Sequence, residues 1–162
     1  GKTTMAAALA EQFPDSIVLH TDDFYLPPAD RVPGWEQTPC ANMGLARLRD
    51  EVLAPARAGK PALYRAYSCR EGAYLPVQQL AAQPLVILEG SYSLHPALQT
   101  EFAVRVFVTC PPDVQAARLQ AREGTRYANF VQRWIPLEEG YFAAYDPAAR
   151  CDFVLDTAEI FV

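Results

Sequence analysis

Four short apolar runs stand out along the chain: Ile17-Val18-Leu19-His20, Leu85-Val86-Ile87-Leu88, Val104-Arg105-Val106-Phe107-Val108 and Phe153-Val154-Leu155. Three are continuous and rich in β-branched residues, the pattern of strands covered on both faces, and the third alternates more. Helical periods lie between them. Residues 3–13 are Ala-rich and place Met5, Leu9 and Phe13 four apart, with Pro14 as the stop. Residues 45–58 repeat apolar side chains at Leu45, Leu48, Val52 and Leu53, and Gly59 suits a C-cap. Residues 112–122 open on Pro-Asp and end before Gly124. Residues 129–145 carry an aromatic and aliphatic stripe that Pro136 is expected to kink or split. Strands alternating with helices predict an α/β fold with a parallel sheet. Prolines crowd residues 27–39, which predicts an irregular loop or lid.

Composition narrows the function. The 162 residues suffice for one domain, taken as 1–162. A net charge of −5 argues against retention on nucleic acid or anionic membrane by bulk charge. No apolar run approaches the roughly 18 residues of a spanning helix. Cys40, Cys69, Cys110 and Cys151 show no C-x-x-C spacing, and His20 and His95 lie far apart, so zinc is not expected. Reduced, mostly buried thiols and the lack of a basic-then-apolar start lead us to expect a cytoplasmic protein.

Three segments carry chemistry. Gly1-Lys2-Thr3-Thr4 matches the end of G-x-x-x-x-G-K-[ST] and opens an Ala-rich helix. In that motif backbone N–H groups cradle phosphate, Lys neutralises it and the first hydroxyl ligates Mg²⁺. Asp22-Asp23-Phe24-Tyr25 follows the first strand, at the sheet edge where α/β proteins bind ligands. One carboxylate there could accept a hydroxyl proton or hold Mg²⁺ through water, or the pair could simply cap a turn. Leu85-Val86-Ile87-Leu88-Glu89-Gly90 brings a third acid to the same edge, where it can address Mg²⁺ or an acceptor. His95, in a Ser-Tyr-Ser-Leu-His-Pro loop, reads as a loop or capping residue. Arg118, Arg122 and Arg126 would share a helix face, able to close over a nucleotide or to face solvent.

In this chain order the segments resemble the P-loop small-molecule kinases of the uridine kinase and nicotinamide riboside kinase group. The resemblance rests on Gly1–Thr4, His20-Thr21-Asp22-Asp23-Phe24-Tyr25, Ile87-Leu88-Glu89-Gly90-Ser91-Tyr92 and the run from Arg133 to Phe142, and spans essentially the whole chain. It implies a three-layer sandwich with strand order 2-3-1-4-5, the four runs being strands 2, 3, 4 and 5. Strand 1 and the first half of the phosphate loop, roughly 10 to 20 residues, would precede Gly1. The resemblance makes Asp22 the base, with Asp22, Asp23, Phe24, Tyr25 and Tyr67 toward the acceptor. Gly1, Lys2, Thr3 and Thr4 would hold ATP, with Thr3, Asp22 and Glu89 at Mg²⁺. Arg118 and Arg122, in a lid over about 118–133, would reach the phosphates; Lys2 and Glu89 join the catalytic set.

The implied activity is ATP-dependent phosphorylation of a primary hydroxyl on a nucleoside or nucleoside-like molecule. The alternatives are a pantothenate- or sugar-type alcohol, or a nucleotide-binding module without turnover. Trp35 and Tyr64 join the aromatic residues as candidate pocket walls. The sequence departs from the family where Gly44 replaces an acid after Asn42 and where Tyr67-Ser68-Cys69 replaces Tyr-Asp-Cys.

Overall fold

The computed structural model describes residues 1–158. These form two compact units, one of Lys2–Ala103 and one of Gly1 with the chain from Val104 onward.

The first unit opens with helix α1 (Lys2–Gln12), followed by strand β1 (Ser16–His20) and a 3₁₀ turn, Thr21–Phe24. Helix α1 buries Ala6 and packs on β1; its predicted stripe instead leaves Leu9 and Phe13 exposed. Residues 27–39 hold only two 3₁₀ turns, Pro28–Asp30 and Trp35–Gln37, as the proline density implies. A helical run follows: α2 (Leu45–Arg47), a π-helical turn Leu48–Leu53, and α3 (Ala54–Arg57). The π turn has a local cause. Pro55 lacks an N–H, and its ring would strike a carbonyl one turn back; the wider turn relieves both problems. Gly59 ends the run at φ 67, as expected of a C-cap.

Strands β2 (Ala62–Tyr64), β3 (Tyr67–Ser68), β4 (Ala73–Tyr74) and β5 (Gln78–Leu80) come next, with β2 antiparallel to β5 and β3 to β4. At two or three residues they are too short to show alternation, and the sequence gives no sign of them. Strand β6 (Leu85–Glu89) then pairs parallel with β1, from Ser16↔Leu85 through to His20↔Glu89.

The second unit runs β7 (Val106–Thr109), α4 (Pro112–Glu123), a 3₁₀ turn Gly124–Arg126, α5 (Tyr127–Asn129), a π turn Phe130–Trp134, α6 (Ile135–Tyr145) and β8 (Phe153–Asp156). Strands β7 and β8 are parallel, Val106↔Phe153 to Thr109↔Asp156. Pro136 does not split the helix. It sits two residues past the end of the π turn, as Pro55 does after Leu48–Leu53. Tyr141 is wholly buried, and Phe142 meets Phe107 edge-on at 5.6 Å. Val106, Phe153 and Val154 remain 36–57% exposed, unlike strands covered on both faces. A two-stranded ribbon has too little area to shield either face fully. Among the described residues, no helix is long and apolar enough to cross a membrane.

Candidate functional site

The in-register pairing of β1 with β6 sets two polar residues side by side at the carboxyl ends of the strands, His20 and Glu89. The His20 Nδ1 lies 2.5 Å from Glu89 Oε1. The same oxygen accepts a hydrogen bond from Thr3 Oγ1, at 3.2 Å, on the first turn of α1. Thus the opening of the helix and the end of β6 meet.

The strand exits are held together by Gly90. Its φ is 138, and a Cβ there would overlap the hydroxyl of Thr21, which is itself wholly buried. Only glycine meets both demands, which explains the Glu-Gly dipeptide after the apolar run. Beyond Thr21, the 3₁₀ turn presents Asp22 exposed and Asp23 half-buried. The Tyr64 hydroxyl donates to Asp23 Oδ2 and accepts from the His20 backbone N–H. Burial, reinforced by the bond to Asp23, pushes the Tyr64 phenol far above its ordinary range and keeps it a neutral donor. The Cys69 thiol, raised chiefly by burial, also feels the negative charge of Asp22 and Asp23.

The candidate pocket aromatics fall into two groups. Tyr25 is half-buried, whereas Phe24, Trp35, Tyr64 and Tyr67 are core residues. Phe24 meets Tyr64 edge-on at 5.4 Å, and Arg47 lies over its other neighbourhood, 5.0 Å from the ring centroid. The Phe24–Leu26 segment pairs with Asn42–Gly44: Leu26 N–H donates to Asn42 O at 2.8 Å and Gly44 N–H to Phe24 O at 2.7 Å. A Cβ at position 44 would come within 3.2 Å of the Phe24 carbonyl. This close approach gives a physical reason for the missing acid there.

Lys2, Thr3 and Thr4 are exposed at the start of α1. In the other unit, Gly1 sits where a Cβ would only touch Val108 and Thr157. Arg118 is half-buried and donates to the carbonyls of Thr157 and Ala158. Arg122 pairs with Glu123 at 2.8 Å. Arg126 lies beyond the end of α4, so the three arginines do not share one continuous helix. His95 is a cap: its Nδ1 accepts the Ala97 N–H at 3.1 Å at the turn Pro96–Glu101. All four cysteines are free, but only Cys40 is buried, its thiol pushed up to about 12 by that burial.

Comparison with solved structures agrees with this layout. A possible uridine kinase from Bacillus stearothermophilus matches with a TM-score of 0.72 at 20% identity, over 96% of this chain and 82% of that one. The chain shares the fold of that structure. A candidate fructose transport system kinase from Silicibacter sp. TM1040 shares that fold at TM-score 0.59 and 18% identity, over 95% and 81% of the two chains. The YGR205w protein shares it at 0.53 and 13%, over 96% and 80%. No protein-family model and no curated protein matches the sequence.

The Thr3 hydroxyl and the Glu89 carboxylate that meet here are hard oxygen donors of the kind Mg²⁺ prefers. That ion keeps several waters and phosphate oxygens and so needs few protein ligands. Among the described residues no group of three or more His, Cys, Asp or Glu side chains could hold a metal ion by itself. The residue that sequence reading overlooked is His20. Its signal was available: two short apolar runs that lead into His20 and Glu89 bring those residues side by side when the strands pair parallel and in register.

Proposed function

We propose that the protein transfers the γ-phosphoryl group of ATP to a primary hydroxyl of a nucleoside or nucleoside-like molecule. The observation that carries this reading is the meeting of Thr3 with Glu89 beside the Asp22-Asp23 turn. Kinase-fold likeness supports the reaction class, and the uridine kinase motifs favour the acceptor class. In this reading the parallel pairs are neighbours 2-3 and 4-5 of the order 2-3-1-4-5 in a single domain, with 118–133 as lid.

Asp22 accepts the acceptor hydroxyl proton as the oxygen attacks, and Asp23, held by Tyr64, with Tyr25 and Tyr67 orients the acceptor. Gly1 and Thr4 frame the phosphates, and Lys2 offsets charge on them. Arg118 and Arg122 do the same from the lid and help exclude water, a competing acceptor. Thr3 and Glu89, with Asp22 nearby in sequence order to β1, would hold Mg²⁺. That ion supplies neutralising charge on the transferring oxygens. The four free thiols and the ATP requirement fit the cytoplasm.

The test is mass spectrometry of products after incubation with Mg²⁺·ATP and a panel of nucleosides, hexoses and pantothenate. A nucleoside monophosphate is the expected product. A phosphorylated sugar or pantothenate would reassign the acceptor, and tight ATP binding without product would indicate a binding module.

A further inference from the structure

We propose that His20 is a positioning residue for Glu89: through Nδ1–H it fixes the carboxylate beside the Thr3 hydroxyl, where divalent metal is held with ATP. The inference rests on the phosphotransferase reading and goes beyond it, because no motif assigns His20 a role.

The geometry supports this in three steps. First, the backbone pairs His20 with Glu89 at the last position of the β1–β6 ladder, so both side chains leave the same face at the carboxyl edge. Second, both hydrogen bonds fall on one oxygen: Nδ1 of His20 at 2.5 Å and Oγ1 of Thr3 at 3.2 Å approach Oε1 of Glu89. Together they leave Oε2 as the oxygen for a further ligand. A carboxylate oxygen is an acceptor, so the role proposed for His20 is that of the donor in this bond, through Nδ1–H. Third, the carboxylate is mostly enclosed, with its side chain 12% exposed, whereas the imidazole is 42% exposed. The ring is the more exposed partner of the two, and its bond to Oε1 restricts the rotamers of the carboxylate. A Glu side chain otherwise has three rotatable bonds, and freezing them at the moment of binding weakens any site built on it. Partners of this kind, hydrogen-bonded to a metal-binding side chain, commonly change metal affinity by about tenfold or more.

The His20 backbone adds a second anchor, since its N–H donates to the Tyr64 hydroxyl that also holds Asp23. The side-chain role is separable from this backbone role, because substitution at position 20 leaves the N–H in place.

The experiment is a titration of the protein with Mn²⁺ in the presence of ATP and no acceptor, read by electron paramagnetic resonance, on wild type, His20→Phe, His20→Asn and Glu89→Gln. His20→Phe keeps a ring without a donor; His20→Asn keeps a short donor. His20→Phe is expected to weaken Mn²⁺ about tenfold, and His20→Asn to recover most of that loss. Metal-free ATP binding and the melting temperature should stay at wild-type levels. Glu89→Gln should weaken Mn²⁺ at least as much. Wild-type Mn²⁺ affinity in His20→Phe, with Glu89→Gln impaired, overturns the role of His20 and leaves the kinase reading standing. Loss of melting cooperativity in His20→Phe without recovery in His20→Asn also overturns it, in favour of a packing role. Absence of Mn²⁺·ATP binding by the wild type overturns both.

Discussion

At position 90 a methyl group would occupy the space of the Thr21 hydroxyl, and φ lies where L-residues rarely go. The two costs add. Overpacking typically destabilises by about 1–3 kcal/mol and a strained backbone by a similar amount. Gly90→Ala should therefore lower stability by about 2–5 kcal/mol, measured by denaturant unfolding; a loss below about 0.5 kcal/mol would mean that the strand exits are not in contact. The residues beside Gly90 show what sequence could and could not supply. Asp22, Asp23 and Glu89 were legible because each follows an apolar run and must emerge at one sheet edge. Tyr64 was one aromatic among several, because its bond to Asp23 spans 41 residues of irregular chain. His20 was quoted in a motif but had no role until the register set it against Glu89.

Short elements are where sequence and structure diverge most. The four runs with β-branched residues became β1, β6, β7 and β8, since length, flanks and composition agree there. The two small antiparallel ribbons were invisible, because two or three paired residues leave no period to read. Pro136 is expected to kink or split its helical period, yet there, as at Pro55, a π turn absorbs the missing donor and the helix continues. The turn Pro96–Glu101 gives a pH test at this scale. Burial holds the His95 imidazole below its ordinary value of 6.5, and its Nδ1 lone pair caps Ala97. The unfolded chain therefore binds more protons than the folded one near that pH, and the stability slope with pH is positive. Stability from this group is intact above about 6.5 and is lost as pH falls below it. The melting temperature should drop between about pH 7.5 and about pH 5.5, and His95→Asn, which keeps a cap acceptor, should shrink the drop. An unchanged drop in the variant would show that other groups set the dependence.

Across the molecule, burial is uneven, and the energetic consequences should follow it. Tyr141 is wholly buried in the second unit, while Phe153 is more than half exposed on β8. Tyr141→Ala should cost about 3–5 kcal/mol, whereas Phe153→Thr should change stability by about 0.5 kcal/mol or less. Chemical denaturation of the two variants checks the contrast, and equal costs would contradict the burial pattern. The α/β class was legible from alternation of runs and helical periods, and so was the placement of the acids at the ends of β1 and β6. The acceptor was not legible. Asn42–Gly44 pairs with Phe24–Leu26 through backbone bonds, and irregular segments of this kind carry no period from which a binding preference could be read. The claim that joins residue, element and molecule is that Asp22 activates a hydroxyl for attack on ATP. The most direct measurement is the rate of phosphorylated nucleoside formation from Mg²⁺·ATP, by mass spectrometry, in wild type and Asp22→Asn. The account predicts product from the wild type, and a rate reduced by about 10²–10⁴-fold in Asp22→Asn with ATP binding retained. Wild-type turnover in Asp22→Asn would contradict it.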